Sequence, residues 1–200
     1  MKLFHAPGSR SNRITWLCAE MDVPLDIEIC TFGKPPAELL AVNPCGSFPA
    51  IVDDGVSITE SVAAMLYIGA KYGPTPLVVA PDEAGYADFL QFAILGEASL
   101  LAPINAWMGT TFMAPADQKE NFTTKVILNS IANRAQLVDR KLQTAEYLAA
   151  DRFTIADISV AYATGVMIGM VKIGDKLPPS LLDHHARMTA RPAYKAACGR

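Results

Sequence analysis

Charge and cysteine are both scarce in this 200-residue chain. Asp, Glu, Lys and Arg make up 18% of it against 51% hydrophobic residues, and Cys occurs four times. The net charge of −3 gives no electrostatic footprint for nucleic acid or for an anionic membrane. Cys18, Cys30, Cys45 and Cys198 are scattered with no CxxC pair. That argues against a disulfide framework or a zinc site and reads as reduced, mostly buried thiols of a cytosolic, cytoplasmic protein. His5 and His184-His185 lack metal-ligand spacing and HExxH is absent, so no metal is expected. GxGxxG, the P-loop pattern and GxSxG are missing too, which removes dinucleotide, nucleotide and α/β-hydrolase signatures. With no unbroken run of 18 apolar residues, no bilayer-spanning helix and no membrane partner are expected. The opening Met1-Lys2-Leu3-Phe4-His5 enters a strand pattern directly, without a signal-peptide apolar segment. Internal repeats and low-complexity tracts are absent.

What is present is order. Lys2 to Ala6 reads as a strand and Pro7-Gly8-Ser9-Arg10 as the turn after it. Ser11 to Met21 is helical, because Ile14, Leu17, Cys18 and Met21 recur at i, i+3, i+4 and i+7. Leu25, Ile27 and Ile29 alternate with Asp26 and Glu28, the pattern of a half-buried strand. A short helix from Ala37 to Val42 leads to Asn43-Pro44-Cys45-Gly46-Ser47-Phe48-Pro49-Ala50-Ile51. Asn43-Pro44 ends that helix, since the residue before proline is pushed out of the α region. Gly46 permits the turn, and Pro49 opens a strand that it could not occupy internally. A cis Phe48–Pro49 bond would turn the Phe48 backbone N–H and C=O outward, toward an extended peptide. Asp54-Gly55 between apolar runs signals a hairpin, and a helix follows from Glu60 to Tyr72. The order β-α-β-α-β-β-α, with the first two strands parallel and the last two antiparallel, defines a thioredoxin-like α/β domain over residues 1–76.

Gly73-Pro74-Thr75-Pro76 stops the chain's last helix of that unit, and Leu77 to Pro81 is the linker. An all-α domain is expected over residues 82–200. Tyr86, Phe89, Leu90, Ala93, Glu97, Leu100, Leu101 and Ile104 form a long helical stripe whose one acid needs solvent or a partner. Asp117 is the expected cap of a second long helix carrying Val126, Ile127, Ile131, Leu137, Val138 and Leu142. Thr154-Ile155-Ala156-Asp157 is a capping-box variant, with Phe153 and Ile158 at the hydrophobic-staple positions. The helix it opens is apolar nearly all round, hence buried. Its Gly-Met-rich continuation, Gly165 to Met170, is unusual for a buried helix.

Proline-started strand, Asp-Gly hairpin and Glu60-Ser61 at a helix start together resemble the glutathione site of the cytosolic glutathione S-transferases. The capped buried helix and Arg191-Pro192-Ala193-Tyr194 extend the resemblance over essentially the whole chain. Within the family, Pro7-Gly8-Ser9 with Arg13 is similar to the serine-type, beta-like bacterial members. The resemblance implies that the Ser9 hydroxyl meets the glutathione sulfur. A free thiol titrates near 8.5, and lowering that by about two units takes roughly 2.7 kcal/mol. A hydroxyl donor beside a helix N-terminus is of that order. Ser11 is the rival activator, or else the helix N-cap. Arg10 stands where cysteine-type members carry their cysteine, which argues against thiol–disulfide chemistry, and could instead contact a substrate carboxylate.

By the same resemblance Ser47, Phe48 and Pro49 hold the glutathione backbone, while Glu60 and Ser61 hold its γ-glutamyl end, the ammonium going to Glu60 or to an acid from the partner subunit. The carboxylate would lie on helix N-terminal N–H groups, and Lys34 could reach the glycyl carboxylate. The family often has a basic residue after this pair; Val62 here suggests weaker binding. Cys45 is either a bystander or a thiol open to mixed-disulfide formation. The second substrate should lie between the domains, with Trp107, Met108 and Phe112 as lining and Tyr162 and Met167 as further candidates. The implied activity is a detoxifying transferase that adds the glutathione thiolate, as co-substrate, to a small apolar electrophile, in a homodimer. A glutathione-dependent isomerase, ether lyase or dehalogenase on the same scaffold, or a non-catalytic binding relative, stays open, because function resides in the site and not in the fold.

Overall fold

Strand β1 (Lys2–His5) sends alternate side chains to opposite faces of a sheet, and that alternation organises the first unit of the fold. The computed structural model describes residues 1–119 and 121–198, and of Phe112 the backbone alone. β1 lies parallel to β2 (Asp26–Ile29) and antiparallel to β3 (Ala50–Asp53), which pairs antiparallel with β4 (Val56–Ile58), giving the order β2-β1-β3-β4. Helices α1 (Asn12–Glu20), α2 (Ala37–Val42) and α3 (Ser61–Lys71) complete the expected thioredoxin-like order. Phe4 and its cross-strand partner Ala50 join Ala6, Cys30, Leu39 and Phe48 in one apolar cluster. Leu3 and Ile51 face the other way and are fully buried, as are Ile14, Leu17, Met65 and Ile68 of α1 and α3. Asp54 and Gly55 have φ of 48° and 81°, the left-handed pair that a two-residue hairpin turn requires. The Phe48–Pro49 and Gly73–Pro74 bonds are both cis.

β2 departs from the half-buried strand expected. It is a sheet edge with no fully buried residue, and Ile27 and Ile29 are 42% and 67% exposed. Alternation tells which residues share a face; whether that face is covered depends on what packs against it. At the opposite edge, buried Asp53 ties the hairpin to the end of α3. Its carboxylate accepts from Lys71 Nζ at 2.7 Å, Tyr72 Oη at 2.8 Å and Tyr67 Oη at 3.0 Å.

From Val79 to Met188 the chain forms a second, helical unit. It comprises α4 (Tyr86–Leu95), a π-helical segment Gly96–Leu101, α5 (Ala102–Phe112), α6 (Phe122–Leu142), α7 (Ile155–Val166) and α8 (Pro179–Thr189). Tyr86–Thr111 is one helical stretch, long and apolar enough by length and composition to cross a membrane, although no unbroken apolar run announced it. Isolated polar residues such as Asp88, Gln91 and Glu97 interrupt the run without lowering the average much. Here it is a core element: Phe89, Phe92, Ala93, Leu100, Leu101 and Ile104 are buried and α4 packs on α7. Gly96 allows that crossing, because a Cβ there would lie 2.5 Å from Ser159 Oγ and 2.6 Å from its backbone carbon. Ser159 Oγ in turn donates to Ala93 O at 2.7 Å.

The capping box of α7 forms: Thr154 N–H donates to Asp157 Oδ2 at 2.8 Å. The other carboxylate oxygen accepts from Leu148 N–H at 3.0 Å and from His184 Nε2 at 2.9 Å. Phe153 and Ile158 are buried at the staple positions. The Gly-Met-rich continuation widens into a π-helical segment, Met167–Val171. Gly165 lets His185 pass, its missing Cβ lying 3.0 Å from the imidazole Cε1.

Two further expectations are corrected. Asp117 does not cap α6; it sits in a short 3₁₀ turn, Ala116–Gln118, and Asn121 caps instead by accepting Thr124 N–H at 2.9 Å. Asn121 has the extended backbone that an N-cap needs, φ −121° and ψ 173°. The helical domain also does not run to the end of the chain as expected over 82–200. From Thr189 onward the chain belongs with Met1–Val78. Helix α9 (Pro192–Cys198) packs on α1, with Tyr194 edge-on to Trp16 at 4.8 Å. Arg191 clamps Glu20 with bonds of 2.6 and 2.8 Å.

Candidate active site

The turn between β1 and α1 gathers two serines and a histidine. Ser9 Oγ and Ser11 Oγ lie 2.6 Å apart, and His5 Nδ1 is 2.7 Å from Ser11 Oγ. The Ser11 N–H donates to Ser9 Oγ at 3.1 Å. Ser11 stands where an N-cap would, yet it does not cap. Its backbone is already helical and its hydroxyl turns to Ser9, His5 and Ala6 O. The leading N–H groups of α1 are taken by carbonyls three residues back, Asn12 on Ser9, Arg13 on Arg10 and Ile14 on Ser11. The donor left at this end of the helix is therefore hydroxyl rather than amide. Arg10 is half-buried on the same turn.

The second part of the site is the start of α3. Ser61 is buried and accepts from Arg13 Nη1 at 3.0 Å. Arginine has donors only, so the Ser61 hydroxyl keeps its own hydrogen for a ligand. Glu60 precedes it, exposed, and makes no capping bond. The first-turn N–H groups of α3 thus keep the anion-binding character of an uncapped helix start. Ser47 is exposed, whereas Phe48 and Pro49 are buried. Asn43 braces this turn: Nδ2 donates to Ser47 O at 2.8 Å and Ser47 Oγ at 3.1 Å, while Oδ1 accepts Cys45 N–H at 3.2 Å. Lys34 is exposed in a turn closed by its N–H on Thr31 O.

Asn43 and His5 carry no site expectation from the sequence, and Arg13 enters only as part of the serine-type turn pattern, without a role of its own. Arg13 gave a signal, an arginine beside Ile14 on a helix face that turns out wholly buried. Asn43 signalled only a helix stop, and His5 only a missing metal partner. A groove of about 730 Å³ opens beside the serine turn within the same unit, lined by His5, Cys18, Ile27, Ile29 and Cys198 among others. The exposed isoleucines of β2 form part of its wall.

On the helical unit Trp107 is buried and Met108 and Tyr162 are half-buried, while the Phe112 side chain lies outside the described residues. Met167 is a core residue, fully buried. Cys45 is exposed and Cys18 and Cys30 are buried. Burial pushes the Cys18 thiol up to about 12 and Cys198 up to about 11, so these two are poor nucleophiles.

A family model described as glutathione S-transferase, N-terminal domain, matches residues 3–76. Glutathione S-transferase F10 of Arabidopsis thaliana is 32% identical over 158 residues, covering 74% of this chain and 70% of that protein. Glutathione S-transferase 3 of Schizosaccharomyces pombe is 28% identical over 177 residues, covering 80% of this chain and 71% of that protein. A glutathione transferase from Burkholderia graminis, solved with two glutathione molecules bound per subunit, has a TM-score of 0.86 at 19% identity over 98% of this chain and 86% of that one. That structural likeness concerns the fold. The matching N-terminal model and the plant relative establish the lineage: this chain belongs to the glutathione S-transferase family.

Proposed function

We propose that this protein binds glutathione, forms its thiolate beside Ser9 and transfers it to a small apolar electrophile. The observation that carries the reading is the pair of prepared hydroxyls. Ser9 receives the Ser11 N–H and Ser61 receives Arg13, and either hydroxyl can turn its hydrogen to an anion. In this reading the γ-glutamyl carboxylate lies on the α3 N-terminus and Ser61, Glu60 takes the ammonium, and the Phe48–Pro49 segment flanks the peptide backbone. Ser47, Lys34 and Arg10 are exposed or half-buried and so able to meet the remaining charged ends. The thiol loses its proton to solvent. Its sulfur then forms the new bond to carbon while the electrophile's leaving group, or its double bond, takes the electron pair. Ser9 stabilises the anion and is not itself the nucleophile; holding both reactants in attack geometry supplies the rest.

The bacterial, serine-type, beta-like subclass is part of this proposal, its chemical content being that a hydroxyl and not a thiol meets the sulfur. Cytoplasmic location and a homodimer belong to it as well; free cysteines support the first. Trp107, Met108, Phe112 and Tyr162 are the proposed contacts of the second substrate.

Calorimetry with glutathione on the wild type and Ser61→Ala tests the site. Micromolar-to-millimolar binding, weakened roughly tenfold or more by the substitution, is expected for a lost bond to a charged group. Ser9→Ala should then bind normally and lose at least about tenfold in kcat/KM toward an electrophile panel. Absence of glutathione binding by the wild type overturns the reading in favour of a non-catalytic relative.

A further inference from the structure

His5, Ser11 and Ser9 form a continuous chain of polar atoms with spacings of 2.7 and 2.6 Å. Their exposures are 7%, 0% and 8%, so the two hydroxyls must find their partners inside the protein or in a ligand. One bond in the chain has a fixed direction. The Ser11 N–H can only donate, so Ser9 Oγ is an acceptor there. The hydroxyl hydrogens can run two ways. Run inward, Ser9 donates to Ser11 and Ser11 to an unprotonated Nδ1. Run outward, Nδ1–H donates to Ser11, Ser11 donates to Ser9, and the Ser9 hydrogen is left for a ligand.

A thiolate only accepts, so its presence at Ser9 selects the outward run. The Ser9 hydrogen is then committed to the sulfur, and Ala6 O, the other partner of Ser11 Oγ, cannot donate. Among the described residues His5 is the side chain left to donate to Ser11. We infer that His5 is a positioning residue for the thiolate: with its proton on Nδ1 it donates to Ser11 and turns the Ser11 and Ser9 hydroxyls toward the sulfur. This rests on Ser9 being the group that meets the glutathione thiol.

The surroundings suit that tautomer. Nε2 makes no hydrogen bond to the described protein, so no protein group on that side competes for the proton. The groove bordering His5 presents Ile27 and Ile29 from β2, Cys18 from α1 and Cys198 from α9, with no charged side chain in its lining. Burial lowers the imidazole's pKa and raises those of both thiols, so at neutral pH all three are uncharged. The outward chain therefore delivers a directed hydrogen bond without placing a cation behind the serines. A hydroxyl that accepts a bond is a stronger donor, by about 10–30% in condensed phase.

Three substitutions separate this role from packing. Asparagine places an amide N–H near the Nδ1 position, glutamine places it near Nε2, and leucine has none. The experiment follows the ultraviolet absorbance of bound glutathione thiolate against pH, with glutathione affinity by calorimetry on the same samples. His5→Leu and His5→Gln are expected to bind glutathione within about twofold of the wild type while showing a roughly threefold smaller thiolate fraction near pH 6.5. His5→Asn should recover most of that fraction. If His5→Leu does not fold, the Gln and Asn pair carries the test. An unchanged thiolate titration in the Gln variant, or equal losses in Gln and Asn, overturns the inference. Failure of the wild type to bind glutathione strikes instead at the reading beneath it, and the two failures appear in different signals.

Discussion

Arg13 is a cation in a place that cations ordinarily avoid. It is 0% exposed, sits beside Ile14 and Leu17 on α1, and donates to Ser61 Oγ at 3.0 Å. In the proposed function its role is toward the ligand. It orients Ser61 and supplies positive potential behind the start of α3, which Val62 does not. Arg13→Met takes the donor from the buried Ser61 hydroxyl and is expected to lower the melting temperature by roughly 2–8 °C and to weaken glutathione binding roughly tenfold. A melt and a calorimetric titration on one preparation check both halves. The thiols offer a second test at this scale. Cys45 is exposed, Cys18 and Cys30 are buried, and Cys198 is half-buried. A disulfide reagent should therefore modify one thiol quickly in the native protein and the rest only on unfolding; rapid reaction of Cys18 would contradict the burial that raises its pKa.

Elements were legible where their signals are local. The hairpin at Asp54-Gly55, the stop at Gly73-Pro74 and the capping box at Thr154–Asp157 each lie within four residues, and each forms as expected. The exposure of β2 and the cap of α6 were not legible, because both depend on what approaches from elsewhere in the chain. Gly96 belongs to the same class, a glycine whose need is visible only in the crossing partner. Gly96→Ala would bring Cβ within 2.7 Å of three Ser159 atoms, two of them backbone. A loss of about 1–3 kcal/mol or more is expected by denaturant melt, with no rescue from Ser159→Ala, since the backbone clash remains. At the sheet's other edge, the bonds from Lys71, Tyr72 and Tyr67 hold the Asp53 carboxyl below its ordinary pKa. A depressed carboxylate contributes stability above the unfolded-state value near 3.9 and loses it as pH falls through the folded value. Asp53→Asn should thus melt roughly 2–4 °C lower at neutral pH, the gap to wild type narrowing as pH drops below about 4. A gap that widens in acid would show the sign to be wrong.

At the scale of the whole molecule, the order of elements gave the fold class, since a β-α-β-α-β-β-α sequence leaves few topologies. It could not give the return of the chain, because nothing in a helix start at Arg191-Pro192 says which unit the helix will join. That choice is written in side chains 171 residues apart: Glu20 accepts from Trp16 Nε1 at 3.0 Å and from Arg191 at 2.6 and 2.8 Å. Tyr194 then closes over Trp16, which is 1% exposed. The last helix also lines the groove beside His5, so the tail is a structural part of the unit that carries the serines. The two tryptophans divide between the units, Trp16 in one and Trp107 in the other. With Trp107→Phe as background, Trp16 becomes a reporter of the tail alone. Removing residues 191–200 from that background should shift its emission to longer wavelength as the indole meets water, and lower the melting temperature by roughly 5 °C for a loss of about 2 kcal/mol. Arg191→Ala, which keeps Tyr194, should produce a smaller shift in the same direction. Unchanged emission after truncation would mean that α9 does not cover α1 in solution, and the unit would then end at Val78.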